Sequence, residues 1–351
     1  MDLAIVSGAY GGCFIAICKY DLSDPRFELP NWVWGADIFD ELDNEFSPPD
    51  LSIDPENGMF TVINSSHVAR SYFITIGNCE QILSAQGIDL LDDPSVQLRR
   101  EYVTFIVLLP PMICLELVIL VPRLALMPGS GSSSAKKKKQ KKKKFDLSLY
   151  ESIDIVSDVQ DYVSSVDIPI DMLQPFDMDI FPLLEGSSMP IDGWLCTQSS
   201  GGELTHFAHP STYHAIDFRC DVGTPVVAIF RSEVIEVRKE SSCTGVHVSN
   251  LFSWNSILLK MVDQDIYVEY VHINREGVTV SVGEVVEKGH VICFSGDAGF
   301  CPEPHLHMQI HRSSGAKAPS VPITYKGNQI LAGLKYPNNI IIKLTEETTK
   351  K

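Results

Sequence analysis

From Trp194 onward the chain is built of short, apolar, β-branched runs separated by glycines, a rhythm that points to a small antiparallel β-structure. The runs fall at residues 224–231, 233–239, 256–262, 266–272, 278–282, 290–294 and 305–311. Gly223, Gly277, Gly283, Gly289 and Gly296 punctuate them. Turn signals every ten residues or so predict an all-β sandwich or barrel. No helix of normal length is evident.

The upstream sequence is less regular. Residues 60–63 and 71–76 read as strands, but residues 21–57 are rich in Asp, Glu, Pro and aromatics without a sustained period. The first region, residues 1–128, is therefore expected to be of mixed structure, and no chemical motif stands out in it. Its single histidine, His67, reads as structural or exposed. Residues 103–121 are apolar enough to span a bilayer, which keeps a membrane segment open. Pro110-Pro111 and Glu116 would break such a helix and bury a charge, which favours two buried strands flanking the prolines.

Residues 129–145 form a Gly/Ser/Lys-rich linker, and residues 146–193 an acidic connecting segment. Eight of the 28 basic residues lie in the two lysine runs at 136–139 and 141–144. A solvated insertion is favoured there over a nuclear-localisation signal. The net charge of −17 argues against a general nucleic-acid partner, because phosphate repels an acidic surface. No basic n-region precedes the apolar residues 3–18, since Asp2 stands there, so the compartment is undetermined and cytoplasmic by default. The nine cysteines contain no Cys-x-x-Cys pair, and read as buried or free thiols rather than zinc thiolates.

Nine of the ten histidines lie between His206 and His311. Imidazole is the commonest metal ligand and general base, so such crowding reads as a metal site. In Pro304-His305-Leu306-His307, strand alternation points His305 and His307 to one face and turns Leu306, Met308 and Ile310 to the core. Asp217, between Ile216 and Phe218, is a carboxylate in a core-like setting and needs a partner; a metal is one answer, an arginine or backbone amides another. His272 ends the run Tyr267-Val268-Glu269-Tyr270-Val271 and by alternation shares a face with Tyr270 and Val268. His247 and His290 read as structural or exposed, and His311 continues the face of His305 and His307.

Taken in order, Asp217-Phe218 with Val222-Gly223-Thr224-Pro225-Val226-Val227-Ala228, then Tyr270-Val271-His272, then the Val/Gly pattern of residues 280–289, then Gly296-Asp297-Ala298-Gly299 and Glu303-Pro304-His305-Leu306-His307, resemble the lysostaphin-type zinc metallopeptidases. The resemblance covers roughly residues 194–315, about a third of the chain. It implies a metallopeptidase domain over residues 194–320, with residues 321–351 as an extension. It further implies a compact β-fold, Zn2+ as cofactor, Asp217 and His307 as metal ligands, and His272 and His305 as catalytic groups. The implied substrate is a glycine- or alanine-containing peptide such as a peptidoglycan cross-link. A degenerate domain that binds peptide or glycan without catalysis is the alternative. A related barrel that transfers phosphoryl groups through a His-x-His pair is disfavoured by Asp217.

The first ligand departs from the best-known members, where it lies four residues before the aspartate. Tyr213 holds that position here. His214 is three residues before Asp217, and strict alternation turns it to the opposite face unless a β-bulge intervenes. Some relatives carry the ligand earlier, after a Ser or Thr, and Thr205-His206 resembles that variant. His206 is the expected metal ligand, with His209 second and His214 third.

Overall fold

The structure is a computed structural model, and it describes residues 6–10, 13–19, 51–92, 102–123, 150, 152–162, 174–184, 190, 193–202, 204–315 and 318–337. The lysine-rich stretch 136–144 and residues 338–351 of the C-terminal extension lie outside the described residues. Among those described, regular structure is almost wholly β, and the helical pieces in the C-terminal part are 3-10 turns such as His206–Ala208, Val248–Asn250 and Arg275–Gly277.

Among the described residues the first region also forms β-sheets. One sheet runs Val6–Tyr10, Cys13–Lys19, Tyr102–Leu109, Arg70–Gly77 and Asp154–Asp161 in spatial order. A second runs Leu51–Ile53, Met59–Asn64, Ile113–Pro122 and Cys79–Leu83. Phe60, Val62 and Leu120 of the second sheet meet Tyr72, Ile74 and Phe105 of the first in one core, so the two sheets form a sandwich. The stretch 103–121 folds as two strands on either side of Pro110. No described helix is long and apolar enough to cross a membrane.

The C-terminal part is organised on an eight-stranded sheet. Its spatial order is Val285–Val286, Ser232–Arg238, Ser256–Met261, Tyr267–Val271, His305–His311, Ile216–Arg219, Trp194–Gln198 and Lys335–Tyr336. All pairings in it are antiparallel. One face packs on the antiparallel pair Pro225–Val227 and Val291–Phe294, and on Met178, Phe181 and Tyr325. Leu306, Met308 and Ile310 lie in this core, as alternation from the His-x-His pair requires. The opposite face is left for polar chemistry.

One expectation changed. Residues 278–282 form no strand; an edge strand forms instead at Val285–Val286. The connecting segment contributes Asp154–Asp161 to the N-terminal sheet, while Phe176–Met178 pairs with Ile323–Tyr325 of the C-terminal part.

The two parts are packed together. The outer face of the first N-terminal sheet places Phe73, Tyr102 and Ile106 against Leu204, Phe207, Ala208, Val246, Val248 and Phe300. Ser71 Oγ donates to the Ala208 carbonyl, and Val248 N donates to Thr75 Oγ1 at 3.0 Å. The segments it touches are loops that flank the histidine cluster.

Candidate metal centre

The site is built on the neighbouring strands Ile216–Arg219 and His305–His311, with Asp217 directly opposite His307 in register. Because Ile216 and Phe218 go to the core, Asp217 points to the other face, where His305 and His307 also project. Val271 pairs with His307 from the other side, so the strand end that delivers His272 lies next to the pair.

His272 does not follow alternation. Its backbone is left-handed, with φ of 60°, and this turn moves the imidazole off the face of Val268 and Tyr270, which stay in the core. The imidazole instead lies 4.6 Å from that of His305, ring centre to ring centre. Gly296 makes the turn fit: a Cβ there would come within 2.7 Å of the His272 carbonyl oxygen and of Asn274 N. The loop it starts brings the Ala298 carbonyl to 2.7 Å from His272 Nδ1.

His206 arrives from a different direction, on a 3-10 turn preceding the strand. Its Nε2 lies 3.2 Å from Asp217 Oδ2, while His307 Nδ1 lies 2.9 Å from Asp217 Oδ1. His206, Asp217 and His307 each offer one ligand atom, all within 4.8 Å of one another, and His272, His305 and His307 do the same. The other early histidines stand apart: His209 Nδ1 pairs with Ser211 Oγ, and His214 Nδ1 with Ser200 Oγ. His247 caps a 3-10 turn, and His311 Nδ1 lies 3.3 Å from the Pro319 carbonyl.

The outward hydrogen bonds fix which nitrogen of each ring faces the centre. A carbonyl only accepts, so the ring nitrogen that meets it must carry the hydrogen. Thus Nδ1 of His206 donates to Ser199 O, that of His272 to Ala298 O, and that of His305 to Glu303 O. His307 is reversed: Gln309 Nε2 donates to Glu269 Oε2, which leaves Gln309 Oε1 to accept from His307 Nε2 at 3.2 Å. In the neutral rings, Nε2 of His206, His272 and His305 and Nδ1 of His307 are therefore bare.

Several lone pairs thus converge on a carboxylate. The cluster is deeply buried: His206 is 0% exposed, Asp217 2% and His305 3%. His206 Nε2 and Asp217 Oδ1 have no hydrogen-bond partner among the described residues. Burial alone would raise the Asp217 pKa, but the imidazoles of His206, His305 and His307 outweigh it and hold the carboxyl well below the usual carboxylate range. Burial opposes protonation of His307 too, yet Asp217 raises its pKa. His272 moves the other way: burial, with His305 and His307 nearby, keeps it well below an ordinary imidazole. Two imidazole nitrogens with one carboxylate are donors suited to zinc.

No cysteine among the described residues joins either ligand group, although Cys301 Sγ lies 3.5 Å from His305 Nδ1 on the outward side of that ring. Burial pushes the Cys196 thiol up to about 12 and the Cys220 thiol up to about 11, which keeps both protonated and poor metal ligands.

A carboxylate flanked by imidazoles on adjoining antiparallel strands defines a candidate metal centre on a β-sheet. Residues 211–319 match the sequence model of Peptidase family M23, and the chain carries an M23, lysostaphin-type, peptidase domain in its C-terminal region. That match includes Asp217, His272, His305 and His307 but begins after His206.

Among curated proteins, the chain is 32% identical over 97 residues to lysostaphin of Staphylococcus simulans, spanning 28% of this chain and 17% of that protein. It is equally identical over 97 residues to the glycyl-glycine endopeptidase ALE-1 of Staphylococcus capitis, covering 28% and 24%. An uncharacterized metalloprotease of Haemophilus influenzae is 28% identical over 116 residues, covering 32% and 22%. The chain therefore spans less than a quarter of the length of these relatives. Among solved structures it is similar to the catalytic domain of the antimicrobial peptidase lysostaphin from Staphylococcus simulans, at 25% identity and a TM-score of 0.27, covering 36% of this chain and 84% of that one.

Residues outside the sequence reading complete the surroundings. Gln309 could have been found, since it lies two positions after His307 and must share its face. Gln198, whose Nε2 donates to Asp217 Oδ2 at 2.6 Å, gave no local signal.

Proposed function

We propose that the chain is a zinc-dependent endopeptidase that hydrolyses glycine- or alanine-containing peptides such as peptidoglycan cross-links. In this reading His206 Nε2, Asp217 and His307 Nδ1 hold the metal. A bound zinc supplies Lewis acidity, polarising the scissile carbonyl and lowering the pKa of an attacking water. The observation that carries the proposal is the convergence of the His206 and His307 ring nitrogens on the buried Asp217 carboxylate, at 3.2 and 2.9 Å.

His272 and His305 take the acid–base work. Each has its Nδ1 hydrogen tied to a carbonyl, so each Nε2 accepts a proton and can return it to the leaving amine. Burial lowers the His272 pKa, which leaves the ring neutral and its Nε2 lone pair open at neutral pH. One relative supports the substrate class: ALE-1 is named a glycyl-glycine endopeptidase.

The test uses the purified full chain, zinc analysis and hydrolysis of pentaglycine. We expect one zinc per chain and measurable cleavage. His305→Ala should retain zinc while lowering the cleavage rate by about a hundredfold or more, in the usual range for a lost general base. Loss of zinc in that variant would overturn the role given to His305. A wild-type chain that binds no zinc would refute the enzyme and favour a binding module.

A further inference from the structure

The metal ligands arrive by two routes. Asp217 and His307 are fixed by the ladder between their strands, whereas His206 lies eleven residues before Asp217 and outside any strand. Some interaction must hold that loop in register with the carboxylate. Gln198 is placed to do so. It lies opposite Asp217 on the strand Trp194–Gln198, where the register shifts between Cys196 and Gln198. Trp194 and Cys196 project into the core, and strict alternation would send Gln198 after them. The irregularity turns it instead to the face of Asp217.

All the hydrogen-bonding capacity of the Gln198 amide is used. Nε2 donates to Asp217 Oδ2 at 2.6 Å and to Thr205 Oγ1 at 3.1 Å. Oε1 accepts from Leu204 N at 3.2 Å and Thr205 N at 3.0 Å. The same amide therefore grips the ligand carboxylate and the backbone immediately before His206. The next residue, Ser199, supplies the carbonyl that accepts from His206 Nδ1. Gln198 is 7% exposed, so water has little access to substitute for it.

We infer that Gln198 is a positioning residue that couples the Asp217 carboxylate to the His206 loop and so sets the spacing of the two ligands. The inference rests on the metal site proposed above. Groups hydrogen-bonded to a metal ligand commonly change affinity by about ten- to a hundredfold when removed, without touching the metal themselves.

The test measures zinc affinity by chelator competition and the visible absorption of the cobalt(II)-substituted full chain. Gln198→Met keeps the length of the side chain and removes every hydrogen bond. It should weaken zinc by at least about tenfold and alter the cobalt band, while the metal-free protein retains its near-ultraviolet dichroism. Gln198→Asn, which keeps the amide but cannot span both partners, should move both readouts in the same direction by less; it serves if the methionine variant does not fold. His209→Ala is the control and should leave both readouts unchanged. Zinc affinity within about twofold of wild type, with an unaltered cobalt spectrum, would overturn the role of Gln198 alone. A wild-type chain that binds neither metal would overturn this inference together with the metal site.

Discussion

His247 gives a pH-dependent handle on the contact between the N-terminal sandwich and the loops around the site. Its Nδ1 accepts from Ser249 N at 3.2 Å, capping the turn Val248–Asn250, and its ring meets Tyr102 edge-on at 5.4 Å. Val248 is itself bonded to Thr75 of the N-terminal sheet. Protonating Nδ1 would remove the capping acceptor and bury a charge beside an aromatic ring. Burial accordingly pushes the imidazole down to about 4. Because the folded value lies below the unfolded value, the unfolded chain takes up its proton first, and stability falls as pH drops from about 6.5 towards 4. At about 1.4 kcal/mol per unit, the loss is about 2 kcal/mol near pH 5 and about 3 kcal/mol below pH 4. His247→Asn keeps a good capping acceptor and cannot titrate. Urea unfolding of the metal-free chain should then show wild type losing stability relative to the variant by about 2 kcal/mol between pH 7.5 and 5. His214, His272 and His311 also have lowered values, but they are common to both proteins and cancel in the difference. Parallel stability curves would refute the assignment of this acid sensitivity to His247.

The ligand set predicts a sharp contrast among neighbouring histidines. Zinc at a thousandfold excess over its dissociation constant should raise the wild-type unfolding free energy by about 4 kcal/mol. His209→Ala and His214→Ala should show the same gain and His206→Ala a much smaller one; an equal gain in His206→Ala would remove it from the ligand set. Gln309→Leu should weaken zinc by about ten- to a hundredfold by leaving His307 Nε2 and Glu269 without their bridge. Unchanged affinity in a chelator titration would show that the bridge does not orient His307.

Much of the C-terminal fold could be read directly because its strands have one core face and one polar face. The run His305–His311 is the clearest case: alternation separates Leu306, Met308 and Ile310 from the histidines, and the structure keeps that separation. The stretch 103–121 was ambiguous for a physical reason. The strand Tyr102–Leu109 is covered on one face by the sandwich core and on the other by the C-terminal part, so it lacks the alternation that marks a half-exposed strand. Such a run has the apolar density of a membrane segment, and only Pro110-Pro111 and Glu116 argued against one.

The parts of the site that escaped the sequence lie where the backbone leaves the two-residue period. Alternation puts His272 with Tyr270; a single left-handed residue sends it to the metal face, and no feature of Tyr270-Val271-His272 announces that φ. Alternation also places Gln198 with Cys196, and a register shift reverses this. His214 lies outside the reach of that rule, because it sits in the turn before the short strand Ile216–Arg219, where its Nδ1 meets Ser200 Oγ. The ligand loop could be narrowed from its spacing but not fixed, since its position depends on bonds to Gln198 on one side and packing against Phe73, Tyr102 and Ile106 on the other. Those partners are far from His206 in the chain. The docked N-terminal sheet is thus part of the physical explanation for an imidazole that meets a carboxylate eleven residues further along the chain. A ligand on the same strand as Asp217 would be held by the ladder alone, whereas His206 needs a loop closed from both sides.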